Sequence, residues 1–111
     1  MSLGPSSAAF RALADQTRRD ILKMLRAGPL TSGEIADRFD SSWPTISRHL
    51  AVLRHGGLVV ADRRGQEVYY EINTSVFQDL VQHLMEWTTG EPERRTARAR
   101  RQRPRREQEA S

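Results

Sequence analysis

The sequence contains no cysteine in 111 residues, which excludes disulfides, thiolate metal sites and thiol catalysis and fits a reducing compartment. It also lacks any apolar run approaching the ~18 residues that a membrane span requires. Its opening "MSLGPSSAAF" has no basic region followed by an apolar stretch, the mark of a secretory leader. The expectation is a soluble, unexported chain that works in the cytoplasm, with no membrane insertion. A Gly-rich phosphate loop and a nucleophile set beside a base are missing too. His49, His55 and His83 are scattered along the chain, so an enzyme is not expected, and no cofactor is implied.

Net charge is absent from most of the chain. The whole of the +4 lies in residues 91–111, which hold eight Arg and four Glu, while acidic and basic residues cancel over 1–90. Affinity of the folded part for a polyanion must therefore come from a local basic face rather than a globally positive field. The segment "EPERRTARARRQRPRREQEAS" loses almost all apolar residues, which predicts an Arg-rich disordered tail over 91–111. Such a tail acts either as an arm adding phosphate contacts or as a passive extension. Residues 6–90 are expected to form one domain, too small for a cleft between two lobes. A domain of that size gains from dimerising.

Hydrophobic spacing predicts a mainly α domain of about five helices plus a two-stranded hairpin. Ser6 or Ser7 can cap a first helix carrying Phe10, Leu13 and Ala14 on one side. "DQTRRDILKMLRAGPL" gives a second, ended by Gly28-Pro29. Thr31 with Glu34 three residues on is a capping box, which starts a third helix running to about Phe39. Ser42 reads as the cap of the fourth, with Pro44 tolerated in the first turn because that turn's amides have no intrahelical partner. In it Ile46, Leu50 and Leu53 face inward, and the opposite side collects Pro44, Arg48, Ala51 and His55. Gly56-Gly57 stops it.

The period then changes from 3.6 to two. "LVVADRRGQEVYYEIN" predicts a β-hairpin with Gly65 in the turn and Val68, Tyr70 and Ile72 on one face. Thr74 or Ser75 is expected to cap a last helix ending near Gly90. Its apolar residues Val76, Phe77, Leu80, Val81, Leu84, Met85 and Trp87 cover about half its circumference, wider than the ~100° stripe that one neighbour needs. That helix is either deeply buried within its own chain or shares a dimer interface with the first helix. The interface set would be Phe10, Leu13, Phe77, Leu80, Val81, Leu84, Met85 and Trp87.

A capped helix, a short turn, a second helix with a small polar outer face, and a hairpin with arginines at its tip together describe a winged helix-turn-helix. The fourth helix has the width of the B-DNA major groove, where each base pair shows a distinguishable donor and acceptor pattern. Double-stranded DNA is the expected partner. Ser42, Trp43, Pro44, Thr45, Ser47 and Arg48 stand at the end that enters the groove, and Arg48 is the best base reader among them because its fork can bond both acceptors of a guanine edge. Trp43 either packs on a sugar or thymine methyl or folds back over the third helix as a lid. At the hairpin tip, Arg63, Arg64 and Gln66 are candidates for phosphate or minor-groove contacts.

The blocks "FRALADQTRRDILKMLRAGPLTSGEIADRF", "SSWPTISRHLAVLRHGGLV" and "RRGQEVYYEIN", over about residues 8 to 89, resemble the ArsR-type winged-helix repressors. The run "GQEVYYEINTSVFQDLVQHL" looks like the SdpR-type autorepressor branch of that family. The resemblance implies a homodimer joined through first and last helices, binding an inverted-repeat operator and repressing transcription, with its own operon a candidate target. Family metal sensors carry C-x-C in the third helix, which a chain without cysteine cannot supply. A second family site pairs D-x-H with a later H-x-x-E. Here His83 and Glu86 match the second half, but Tyr70 and Ile72 stand where the first Asp and His belong, and half a site does not make four zinc ligands. No metal or small-molecule effector is therefore expected. A metal-responsive repressor of the same family and a protein-docking winged helix are the alternatives.

Overall fold

The computed structural model describes residues 6–89; the tail expected over 91–111 lies outside the described residues. Five helices and three strands follow in the order α1 (Ser7–Leu13), α2 (Gln16–Met24), a 3-10 turn (Leu25–Ala27), β1 (Leu30–Thr31), α3 (Ser32–Ala36), α4 (Trp43–His55), β2 (Val59–Arg64), β3 (Glu67–Ile72) and α5 (Thr74–Thr89). This is a winged helix-turn-helix. The chain forms two compact units, and their boundary falls inside α5 between Leu80 and Val81.

In the first unit the core is made of aliphatic residues drawn from every helix and from the sheet. Ile21, Ile35, Ile46, Leu50, Leu53 and Leu58 are its most enclosed large side chains, and among the described residues no polar or charged side chain is buried. Each fully buried aliphatic of this size stabilises the fold by ~1.5–3 kcal/mol relative to an exposed one. Ile46, Leu50 and Leu53 therefore anchor α4 by one stripe and leave its other side to solvent.

Helix ends follow local chemistry. Ser6 accepts from the Ala9 amide, Asp15 from the Arg18 amide, and Ser42 from the Thr45 amide. The capping box is complete: the Thr31 amide donates to Glu34 Oε1 at 2.8 Å and the Glu34 amide to Thr31 Oγ1 at 3.1 Å. At the end of α4 the Leu58 amide donates to the Leu53 carbonyl at 3.0 Å and the Gly57 amide to the Arg54 carbonyl at 2.9 Å. These are the paired bonds of a Schellman motif. Gly57 supplies the left-handed residue the motif needs, at φ 79°. Gly56 has an ordinary φ of −78°; it is required for space, because a Cβ there would come within 2.8 Å of the Ala8 carbonyl oxygen.

Three local expectations change. The sheet has three strands, not two, in the order β1-β3-β2, with Leu30 opposite Tyr70 and Thr31 opposite Tyr69. A two-residue strand has no periodicity of its own, so only its pairing reveals it. α3 stops at Ala36, after which the Arg38 and Phe39 amides bond the Ile35 and Ala36 carbonyls at 3.1 and 3.2 Å. These tighter bonds to the third residue back turn Phe39 toward the core. At the start of α5, Thr74 is already helical, and the Asn73 carbonyl accepts from the Val76 amide at 3.1 Å.

Candidate nucleic-acid interface

α4 presents one solvent-facing side built from Trp43, Pro44, Ser47, Arg48, Ala51, Arg54 and His55, all exposed. Over its 13 residues the helix is ~20 Å long. Ser42 and Thr45 are partly committed to the helix start, their hydroxyls lying 3.0 Å apart. Trp43 is 52% exposed. Among the described residues Arg48 makes no hydrogen bond or ion pair, so its guanidinium fork is unspent.

Behind that face, α4 is fixed to the rest of the fold by a polar cluster that sequence reasoning missed. The Arg18 guanidinium donates to the Ala12 and Arg11 carbonyls, each at 2.8 Å, and reaches His49 Nδ1 at 3.2 Å. A guanidinium can only donate, so Nδ1 accepts and the imidazole carries its proton on Nε2. Asp15 Oδ2 stands 3.8 Å from the same nitrogen. The Arg18 backbone amide, against opposing desolvation and with help from the Arg18 charge, holds the Asp15 carboxyl below its ordinary value. Arg19 donates to the Leu13 carbonyl at 2.7 Å. The adjacent arginines of "TRR" therefore satisfy the last carbonyls of α1, and one of them ties that helix to α4. No local signal in the sequence joins His49 to a residue 31 positions earlier.

The wing is a tight hairpin in which Arg64 pairs with Glu67 across a two-residue turn. Gly65 takes φ 66° while Gln66 does not enter positive φ, the pattern of a II′ turn. Because side chains alternate along a strand, Arg63 and Arg64 leave opposite faces of the hairpin. Arg64 donates to Asp62 Oδ2 at 3.0 Å, and its guanidinium carbon lies 4.5 Å from the centre of the Tyr69 ring. Arg63 has no such partner among the described residues, and Gln66 is exposed at the turn. The tip thus offers one unoffset cation rather than two.

Of the residues expected at an interface between copies, Phe10, Leu13 and Phe77 are partly buried against the core of the first unit. Leu80 belongs to that core at 3% exposure. It follows Phe77 by three positions and Val76 by four, which turns it to the same inward side. Val81, Leu84, Met85 and Trp87 are exposed, Trp87 at 65%. No helix is long and apolar enough to cross a membrane, and no three His, Asp or Glu side chains group so as to hold a metal ion, among the described residues.

The helix-turn-helix domain family matches residues 13–61, which spans α2 to the start of β2. The transcriptional repressor SdpR of Bacillus subtilis (strain 168) is 42% identical over 76 residues, covering 68% of this chain and 84% of the relative. The arsenical resistance operon repressor of Staphylococcus aureus is 31% identical over 84 residues, covering 76% of this chain and 81% of the relative. Among solved structures, an ArsR family transcriptional regulator superposes with a TM-score of 0.70 at 32% identity, over 74% of this chain and 90% of that one.

Proposed function

The chain belongs to the ArsR-type winged helix-turn-helix repressors, DNA-binding transcriptional regulators and not enzymes, and from that premise we propose that it is a homodimer binding an inverted-repeat operator. The observation that carries this reading is the two-sided character of α4. One side is locked into the core by Ile46, Leu50 and Leu53, and the other is solvent-facing with Ser47 and an unspent Arg48. Arg48 reads a guanine edge, worth ~1–3 kcal/mol of discrimination. Ser42, Trp43, Pro44, Thr45 and Ser47 line the entering end and hold sugar, phosphate or base. Arg63 and Gln66 contact the backbone beside the groove, with Arg64 braced by Asp62 and Tyr69.

The second copy is supported by the exposed apolar residues of α5, since Val81, Leu84, Met85 and Trp87 are costly to leave in water. The resemblance, which joins family dimers through first and last helices, assigns Phe10, Leu13 and Phe77 to the proposed interface as well. A two-fold dimer presents two reading helices to half-sites about one helical turn, ~34 Å, apart. The likeness to SdpR favours repression, with the DNA upstream of the protein's own gene as first target and the cytoplasm as the place of action.

The test is fluorescence anisotropy with that upstream DNA and a scrambled duplex at several salt concentrations. Binding by two chains per site, with a preference of several kcal/mol for the upstream DNA, is the expected result. Equal, weak, salt-steep binding to both rejects self-regulation through that site. No binding to either rejects the DNA reading and favours a protein-docking winged helix.

A further inference from the structure

The arginines of the folded region divide into two groups. Arg18 and Arg19 satisfy the end of α1, Arg26 bonds the Lys23 carbonyl at 3.3 Å, and Arg64 is held by Asp62. Arg11, Arg38, Arg48, Arg54 and Arg63 instead have no side-chain hydrogen bond or ion pair among the described residues, and of these five Arg11 and Arg48 stand together. They share a cleft of about 230 Å³ between α1 and α4, whose remaining lining residues are Ala8, Ala51, Val52 and His55. None of the six is acidic. The lining is mainly apolar and leaves room for a ligand, and two arginines and a histidine contribute to it from two different helices.

Anions satisfy such a grouping best. Guanidinium forks bond phosphate oxygens in pairs, and an uncompensated cluster of donors on a low-dielectric floor attracts an anion more strongly than separated surface charges do. We propose that this cleft is a phosphate-binding site, and that its occupant is a backbone phosphate of the DNA flanking the bases read by Arg48. Arg11 and His55 hold the phosphate, and Arg48 spans from the cleft rim to the base edge. The first helix thereby becomes part of the DNA-binding surface, in addition to its place in the proposed dimer. The inference rests on the DNA-binding reading above and extends its footprint from α4 and the wing to α1.

Loss of one phosphate contact lowers the slope of log affinity against log salt by about 0.9. The experiment measures that slope by anisotropy with a random-sequence 30-bp duplex, so that no operator needs to be known. It compares the parent with Arg11→Ala, with Ala8→Leu, which fills the cleft at unchanged charge, and with Arg26→Ala, which removes an arginine outside it. The Arg11 carbonyl used by Arg18 survives in the alanine variant, and circular dichroism verifies that each variant is folded. Arg11→Ala and Ala8→Leu are expected to flatten the slope by about 0.9, so that the parent's advantage shrinks roughly 3.5-fold between 50 and 200 mM salt; Arg26→Ala is expected to keep the parent slope. A parent-like slope for Arg11→Ala, or equal flattening by Arg26→Ala, overturns the site while leaving the DNA reading intact. A parent that shows no salt-dependent binding overturns both. Inorganic phosphate is titrated into the DNA-free protein under NMR detection. Submillimolar, Arg11-dependent shifts would assign the cleft to a free anion and overturn the DNA-backbone assignment.

Discussion

Gly56→Ala isolates the close approach of α1 to α4. The added Cβ would lie 2.8 Å from the Ala8 carbonyl oxygen and 3.1 Å from Ala9 Cα. Both atoms are backbone, so no side chain can rotate away and α1 must retreat by roughly half an ångström. Overpacking of this kind costs ~1–3 kcal/mol. Against it stands a gain of ~0.4–1 kcal/mol, since φ −78° suits alanine and the unfolded chain loses freedom. The central values leave a net destabilisation of about 1.3 kcal/mol. For a domain of this size each kcal/mol moves the midpoint by ~4–8 °C, so thermal unfolding followed by circular dichroism should show a drop of roughly 5–10 °C at fixed protein concentration. Gly57→Ala serves as the control. Its φ of 79° makes alanine strained, but the nearest atom, Val76 Cγ2, is an ordinary 3.7 Å away. Both variants lose stability, and only Gly56→Ala should shift the amide resonances of α1. A Gly56→Ala midpoint at or above the parent's refutes the packing argument.

Replacing Arg48 by Ala should cost ~1–3 kcal/mol on the preferred operator and much less on random duplex; equal losses on both would sink its base-reading role. Arg63→Ala is expected to flatten the salt slope of DNA binding more than Arg64→Ala, because Arg64 is already offset by Asp62; the reverse order contradicts the assignment of faces on the wing. Val81→Glu with Met85→Glu puts two charges on one side of α5 at exposed positions, and sedimentation should show a folded monomer where the parent is a dimer. Asp15, whose carboxyl is held below its ordinary value, contributes stability that is complete at neutral pH and is lost as pH falls through that lowered value, below pH ~4. Asp15→Asn keeps the helix cap and should flatten this acid limb in urea midpoints measured from pH 7 to 3; an unchanged limb would show that other carboxylates set it.

Elements whose causes lie within a few residues were legible in the chain itself. The Thr31–Glu34 box, the Ser42 cap with Pro44 in the first turn, the Gly57 stop and the Gly65 turn each arise from a donor, an acceptor or a backbone torsion a few positions away. The buried stripe of α4 follows from the 3.6-residue period. Even the opposite faces of Arg63 and Arg64 were implied by the two-residue period of a strand, although their adjacency in sequence suggested a joint role.

Tertiary structure decided what depends on residues far apart in the chain. β1 exists because Leu30 and Thr31 meet Tyr70 and Tyr69, and His49 acquires a partner because α2 brings Arg18 beside it. Leu80 turns inward with the core while Val81 and Met85 stay exposed, a division that the broad apolar face of α5 did not show. Arg11 and Arg48 share one cleft although 37 positions separate them, because α1 crosses α4 at the closeness that Gly56 permits. Periodicity and capping fix which side of an element is apolar and where it ends; which surfaces then meet is set by packing, and packing determines which cations are spent on the fold and which are left for a ligand.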